Sequence, residues 1–430
     1  MKFFRALLLL FPGIISGQNL LTLDQAIETA LKQNLGIELA RMDQQIAEMQ
    51  VYRSNAGFGP QLDLNANLGS TLNRVQQNYL DGRVVDRFGR SIAPNISLGL
   101  SLPIYDGGRM QATFDKLREF SEVSSVQTQL AMQDLIVNVC QAYYEVMRLK
   151  ARVSFLNTVI KYYEDRLAIT EERWNVGKGS KIDFLQSKTD LNAQLSERSA
   201  SLNDFENAKV ILNGLLQRDL ATDFTVQEEA AFNEDYDLAL LIQAASEKNR
   251  DLLLLQKQFK VSVLSEKEIE AQRKPQVGLT STLGYFYTNT NANFILSNQN
   301  ASLNAGLNAR WNIYDGKHLQ NQVKIARLNS RAFEKQEDHL LANIKTDLSA
   351  AFNQYISDKD MLDFEEENRV LAEENLSISL EKFRLGGSTI LELNEAQRSY
   401  DTALNRLVNA QHNIRISELR LLELSGGLVR

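Results

Sequence analysis

The chain has 430 residues, 43% of them hydrophobic and 23% charged, the proportions of a folded protein rather than a disordered one. Its net charge of −7 supplies no basic stripe to displace counterions, which argues against a nucleic-acid partner. The single cysteine, Cys140, excludes an intramolecular disulfide and sits where a small core residue is expected.

The N-terminus reads as a secretory signal over residues 1–17. Lys2 and Arg5 precede a short apolar core from Ala6 to Ile15, and Ser16-Gly17 supply small residues before Gln18. No later segment is apolar for long enough to be a membrane-spanning helix. Thr22 and Gln25 form a capping box that opens a helix running to near Asn55-Ala56-Gly57. The period then changes from helix to strand. Leu62, Leu64, Ala66 and Leu68 alternate with Asp63, Asn65 and Asn67. Beyond a polar loop around Asp81-Gly82 and Gly89, Ile96, Leu98, Leu100 and Leu102 alternate with Ser97, Gly99 and Ser101.

From Gly108 to Gly177 no Gly or Pro interrupts the chain. Ile136, Val139, Tyr143, Val146, Leu149, Val153, Leu156, Ile160, Tyr163 and Leu167 mark the seam of a packed helix. At 1.5 Å per residue this run predicts a rod of roughly 100 Å, which no compact domain has room for, so the protein is expected to be elongated. The turn Gly177-Lys178-Gly179 leads into a helix from 181 to near 213 that returns antiparallel.

The order then repeats. Ile27, Ala30, Asn34, Pro60 and Gln61 recur 215 positions later as Ile242, Ala245, Asn249, Pro275 and Gln276. Ile104-Tyr105-Asp106-Gly107 recurs as Ile313-Tyr314-Asp315-Gly316, and a second uninterrupted rod runs from Gly316 to Gly386 on Leu341, Ile344, Leu348, Phe352, Tyr355 and Leu362. Between them, Val277, Leu279, Leu283, Tyr285 and Tyr287 share one strand face against Thr280, Thr282 and Gly284. Leu303, Ala305, Leu307, Ala309 and Trp311 oppose Asn304, Gly306, Asn308 and Arg310. The expected organisation is a signal (1–17), a first repeat (18–216), a linker (217–235), a second repeat (236–425) and a tail (426–430), each repeat reading helix, strand, strand, long helix, helix.

Apolar-out, polar-in strands with aromatic ends are the pattern of an outer-membrane barrel, with Tyr105, Tyr287, Trp311 and Tyr314 as interfacial belt candidates. Four strands cannot close a barrel, since single-chain barrels begin at about eight. Open edges in lipid would leave backbone groups unpaired, so copies must share one wall. The fold class is mainly α with a β-barrel contribution. The alternative is a periplasmic coiled-coil scaffold whose strands form a soluble sheet.

These residues resemble the TolC outer-membrane efflux family over nearly the whole chain. Leu21-Thr22-Leu23-Asp24-Gln25-Ala26-Ile27 looks like its start, and Pro60-Gln61-Leu62 like its entry to the first strand. Ile104-Tyr105-Asp106-Gly107-Gly108 looks like the exit from the second. Trp174-Asn175-Val176-Gly177 with Asp183-Phe184-Leu185, and Phe383-Arg384-Leu385-Gly386 with Leu393, Ala396 and Gln397, resemble its two hairpin tips. The resemblance implies a homotrimer in the outer membrane, with a 12-stranded barrel and a helical periplasmic tunnel. It also implies docking to a periplasmic adaptor and an inner-membrane pump, for efflux or type I secretion. In that family acidic side chains constrict the tunnel's inner end. Here Asp183 lies six residues after Gly177, while the second tip offers Glu392 and Glu395 with Asn394 between them. Phe383 stands where a Tyr is commoner. Asp183, Phe383, Glu392, Asn394 and Glu395 are therefore the gate candidates. Val176, Gly177, Lys178, Leu385, Gly386 and Gly387 are the adaptor-contact candidates; turn chemistry alone also accounts for the glycines.

Nothing in the sequence calls for an enzyme, a cofactor or a metal. His318, His339 and His412 are scattered, and no nucleophile elbow, P-loop or zinc-protease motif occurs.

Overall fold

The computed structural model describes residues 20–227, 235–291 and 295–428; the signal assignment at 1–17 lies outside the described residues. The elements are β1 (Leu20–Leu21), α1 (Leu23–Gln33), α2 (Leu35–Gln50), β2 (Gln61–Asn78), β3 (Val84–Tyr105), α3 (Arg109–Asn175), α4 (Lys181–Leu215) and β4 (Thr225–Val226). They continue as α5 (Leu238–Lys248), α6 (Arg250–Ala271), β5 (Gln276–Thr290), β6 (Ser297–Arg310), α7 (His318–Leu385) and α8 (Ile390–Ser425).

The first helix departs from expectation, because Asn34 divides it in two. The Asn34 backbone is extended, its Oδ1 accepts from Gly36 N at 2.8 Å, and its Nδ2 donates to Leu215 O at 3.2 Å. A short amide side chain competes here with the helix's own hydrogen bonds. Asn249 repeats the device: its Nδ2 donates to Leu424 O at 3.0 Å and its Oδ1 accepts from Leu252 N at 3.1 Å. The recurring Asn therefore ties the start of each half to the end of its returning helix.

The rods are 67 and 68 residues long. Asp106 caps the first, accepting from Met110 N at 2.7 Å, and Asp315 caps the second, accepting from Leu319 N at 2.8 Å. Gly107 and Gly316 have φ of +79° and +69°, and a Cβ on Gly107 would stand 2.9 Å from Lys274 Cβ. This explains the repeated Asp-Gly pair: the acid caps the helix and the glycine makes the corner.

The described residues divide into two compact units, each drawing on both halves of the sequence. In one (Met42–Val126 with Leu253–His339), four antiparallel strands form a sheet of order β2-β3-β5-β6. Its strands are longer than hydropathy predicts: β2 has 18 residues and β3 has 22, and the polar loop shrinks to a turn at Gly82. Gly89, expected in that loop, pairs with Asn73 inside the ladder. The apolar alternation stops near Leu72, but backbone pairing needs no apolar side chain and continues to Asn78 opposite Val84. Beside the sheet, α6 is bonded to the rods, Lys116 and Thr113 meeting Glu268, and Arg327 meeting Glu266 and Glu270 at 3.0 and 3.1 Å.

In the other unit, segments of α3, α4, α7 and α8 pack lengthwise. Most of the predicted seam is buried, from Ile136, Val139 and Tyr143 to Ile160 and Tyr163. Cys140 lies in that core. β1 pairs in parallel with β4, and Tyr143 Oη donates to Leu21 O at 2.9 Å and accepts from Gln227 N at 3.2 Å. Among the described residues no helix is long and apolar enough to cross a membrane.

Candidate functional site

Two surfaces carry the functional question: the hairpin tips, and the faces of the sheet. Each tip is built the same way. Lys178 N donates to Arg173 O at 2.8 Å and Gly177 N to Trp174 O at 3.0 Å. At the second tip Gly387 N donates to Lys382 O at 2.8 Å and Gly386 N to Phe383 O at 3.0 Å. This is the helix ending that needs a left-handed residue, and Gly177 and Gly386 have φ of +72° and +83°. The next helices start at once, on Ser180 and on a Thr389–Glu392 capping box. Val176, Gly177, Lys178, Leu385, Gly386 and Gly387 are consequently all exposed.

The gate candidates separate into distinct environments. Glu392 is exposed, with its carboxylate accepting from Thr389 N at 3.2 Å in that capping box. Asp183 and Glu395 make no side-chain hydrogen bond or ion pair among the described residues, Asp183 being half-buried and Glu395 exposed. Phe383 is buried, its ring 4.5 Å from the Arg173 guanidinium, which also donates to the Phe383 carbonyl. The two tips of one chain are thus joined through Arg173, without the hydroxyl a Tyr would bring.

Asn394 leads to residues that sequence reasoning missed. Arg166, on α3, is 1% exposed. Its guanidinium meets Asp190 on α4 at 2.6 Å, and on α8 meets Gln397 at 2.7 Å and Asn394. It also lies 4.9 Å over the Tyr163 ring, and Gln397 Nε2 donates to Tyr162 O at 3.3 Å. One buried cation therefore holds the first hairpin to the second. The available signal was an arginine immediately before seam residue Leu167. Nearby, burial raises the Asp401 carboxyl above its ordinary range, partly offset by Gln194 at 3.3 Å. Burial also pushes Tyr400 up to about 12, so its hydroxyl stays neutral.

On the sheet, register places the paired apolar side chains of the pattern on one face; Trp311 lies just beyond the end of β6. Leu64 pairs with Leu98, Leu98 with Leu283 and Leu283 with Leu303, a straight row across four strands. The adjacent row, on the other face, is Asp63, Gly99, Thr282 and Asn304. The leucines are exposed, and among the described residues β2 and β6 are unpaired edges. Tyr105, Trp311 and Tyr314 lie at the rod end of the sheet and Tyr287 toward the far end of β5; Trp311 Nε1 donates to Arg273 O at 3.0 Å. Among the described residues no group of three His, Cys, Asp or Glu side chains is placed to hold a metal.

The family described as Outer membrane efflux protein matches residues 26–216 and 241–427. The Escherichia coli (strain K12) protein named Outer membrane protein TolC is 23% identical over 436 residues, spanning 97% of this chain and 84% of its own. The Brucella suis protein named Outer membrane efflux protein BepC is 19% identical, spanning 98% and 89%. Among solved structures, the Campylobacter jejuni CmeC outer membrane channel superposes with a TM-score of 0.78 at 16% identity, over 94% of this chain and 85% of that one. The open state of the Neisseria gonorrhoeae MtrE outer membrane channel gives 0.71 at 18%, over 95% and 90%. With both halves matched and the amphipathic sheet and paired hairpins in place, the chain belongs to the outer membrane efflux protein family.

Proposed function

We propose that three copies of this chain close one 12-stranded barrel in the outer membrane, and that their hairpins form a periplasmic tunnel ending at the tips. The carrying observation is the sheet, whose leucine row is exposed across four strands while, among the described residues, both edge strands stay unpaired. In lipid those edges are satisfied only by strands of other copies. Along β5 the apolar face runs from Val277 to Tyr287. Its ten residue-to-residue steps span about 34 Å, or about 26 Å at a barrel tilt near 40°, which is the height of a lipid-facing band. Tyr105, Trp311 and Tyr314 then sit at one interface and Tyr287 at the other. The count of three rests on the family likeness; the sheet itself requires only that copies share a wall.

The duct carries out no chemistry. An inner-membrane pump drives the cargo, and a periplasmic adaptor meets the tip residues Val176, Gly177, Lys178, Leu385, Gly386 and Gly387, in an efflux or type I secretion assembly. Asp183, Glu392 and Glu395 ring the inner end and favour cations. The Arg166 cluster and the Arg173–Phe383 contact hold that end closed within each chain. The test is planar-bilayer recording on detergent-extracted protein. Conducting oligomers whose cation preference weakens in Asp183→Asn and Glu395→Gln are expected. Recovery as a monomer from the soluble periplasm would overturn the proposal.

A further inference from the structure

One residue on the polar face of the sheet does not match its neighbours. In the row Asn67–Asn95–Phe286–Asn300 three positions are amides, and the adjoining row is Asn65, Ser97, Gly284 and Ser302. Among the described residues Phe286 is the only aromatic side chain in the paired rows of that face. Its ring does not stand away from the wall. Gly284, two residues back on the same face, is buried. A Cβ added there would lie 2.7 Å from the ring's Cζ and nearer still to Cε2. The ring is therefore folded down the strand over the Gly284 backbone.

Covering a glycine restores some strand stability. Yet a β-branched residue at 286 with alanine at 284 would serve the strand better and leave no aromatic surface in water. Phe286 instead remains 39% exposed, with the Cδ2–Cε2–Cζ side of its ring against the glycine. Asn95 and Asn300 flank it in the ladder, each with an amide able to donate and accept.

We propose that Phe286 is a contact site in the channel lumen for planar aromatic cargo, the ring giving a stacking floor and the two asparagines meeting the polar rim of the molecule. This rests on the reading that the polar face lines a shared barrel, where three copies set three such floors at one level. An offset-stacked ring strengthens a contact only about two- to tenfold, which suits a conduit that must release what it holds.

The test uses the purified full-length protein in lipid nanodiscs and saturation-transfer NMR. The probes are benzyltrimethylammonium and (cyclohexylmethyl)trimethylammonium, equal in charge and close in size. Transfer to the aromatic probe is expected to exceed that to the saturated one several-fold. The preference is expected to vanish in Phe286→Leu, which keeps the glycine covered, and in Phe286→Ser, and to persist in Phe286→Trp. An equal response to both probes in the parent protein, or a preference that survives Phe286→Leu, overturns the inference. Conductance of the same sample separates the levels: conducting oligomers without aromatic preference remove this site alone, while absence of oligomers and conductance removes the channel reading beneath it.

Discussion

The Arg166 cluster makes a prediction whose sign depends on which partner is removed. Arg166 is 1% exposed, and Asp190, with a side chain 26% exposed, is the only carboxylate bonded to it among the described residues. In Asp190→Ala the guanidinium stays buried against neutral amides with no counter-charge. Breaking a buried pair from one side costs about 3–5 kcal/mol, and the water that reaches Asp190 argues for the lower end. Parting the hairpins hydrates the cation, so about 3 kcal/mol shifts the closed-to-open ratio by roughly two decades. Arg166→Met is different. A flexible apolar chain takes the same path beside Tyr163, and Asp190 keeps its bond from Gln186 Nε2 at 2.7 Å and its water. The Gln397 Oε1 left behind costs about 1–3 kcal/mol, which largely cancels the gain from removing a buried charge. Single-channel recording in planar bilayers is the assay, with thermal unfolding of the same preparations alongside. Asp190→Ala is expected to conduct more and melt lower, and Arg166→Met to stay near the parent on both counts. If Arg166→Met opens the channel as far as Asp190→Ala does, the cluster acts as a simple latch and the charge argument is wrong.

Three further outcomes follow from the same structure. Leu283→Arg puts a charge in the middle of the lipid-facing row, at about 2–4 kcal/mol per chain, and is expected to abolish outer-membrane oligomers on gels of unheated samples. Thr282→Arg, one residue away on the other face, is expected to leave them intact. Asp315→Ala removes the cap on the Leu319 amide and should lower unfolding free energy by about 1 kcal/mol in a urea titration, without changing conductance. His412 is held below its ordinary pKa by burial, with Glu145 opposing and Arg148 assisting, and its Nδ1 has no hydrogen-bond partner among the described residues. A folded-state pKa below the unfolded value makes its neutral form stabilising. That contribution is complete above about pH 6.5 and is lost on acidification. The melting temperature of the extracted protein should accordingly fall below pH 6.5, and His412→Gln should flatten that fall.

Where residues act on their neighbours in the chain, the sequence was readable. Thr22 with Gln25, and the glycines at 107, 177, 316 and 386, announce caps and left-handed corners, which are local requirements. The seam from Ile136 to Tyr163 and the alternation from Leu62 to Leu68 are periodicities, and the folded chain uses them as read. Two local readings failed. The single helix expected to run to near Asn55 is divided at Asn34, whose partner is Leu215, 181 positions away. The strands beyond Leu72 lost their hydropathy signal while their backbone pairing went on to Asn78.

The site divides along the same line. The tip glycines could be named from turn chemistry, while the gate acids could be named only through the family resemblance. Arg166, Asp190 and Gln397 could not be grouped, because the distance that joins them exists only once α3, α4 and α8 lie side by side. Nor does alternation reveal that Leu64, Leu98, Leu283 and Leu303 form one row, since register is chosen between strands and not within them. By itself, then, the sequence determined the duplicated rods, their caps and corners, and the two-faced character of each strand, because covalent neighbours and helical or strand periods carry that information. Only the tertiary structure decided which strand faces align, which helices share a buried cation, and where Phe286 lies, because those depend on contacts between segments far apart in the chain.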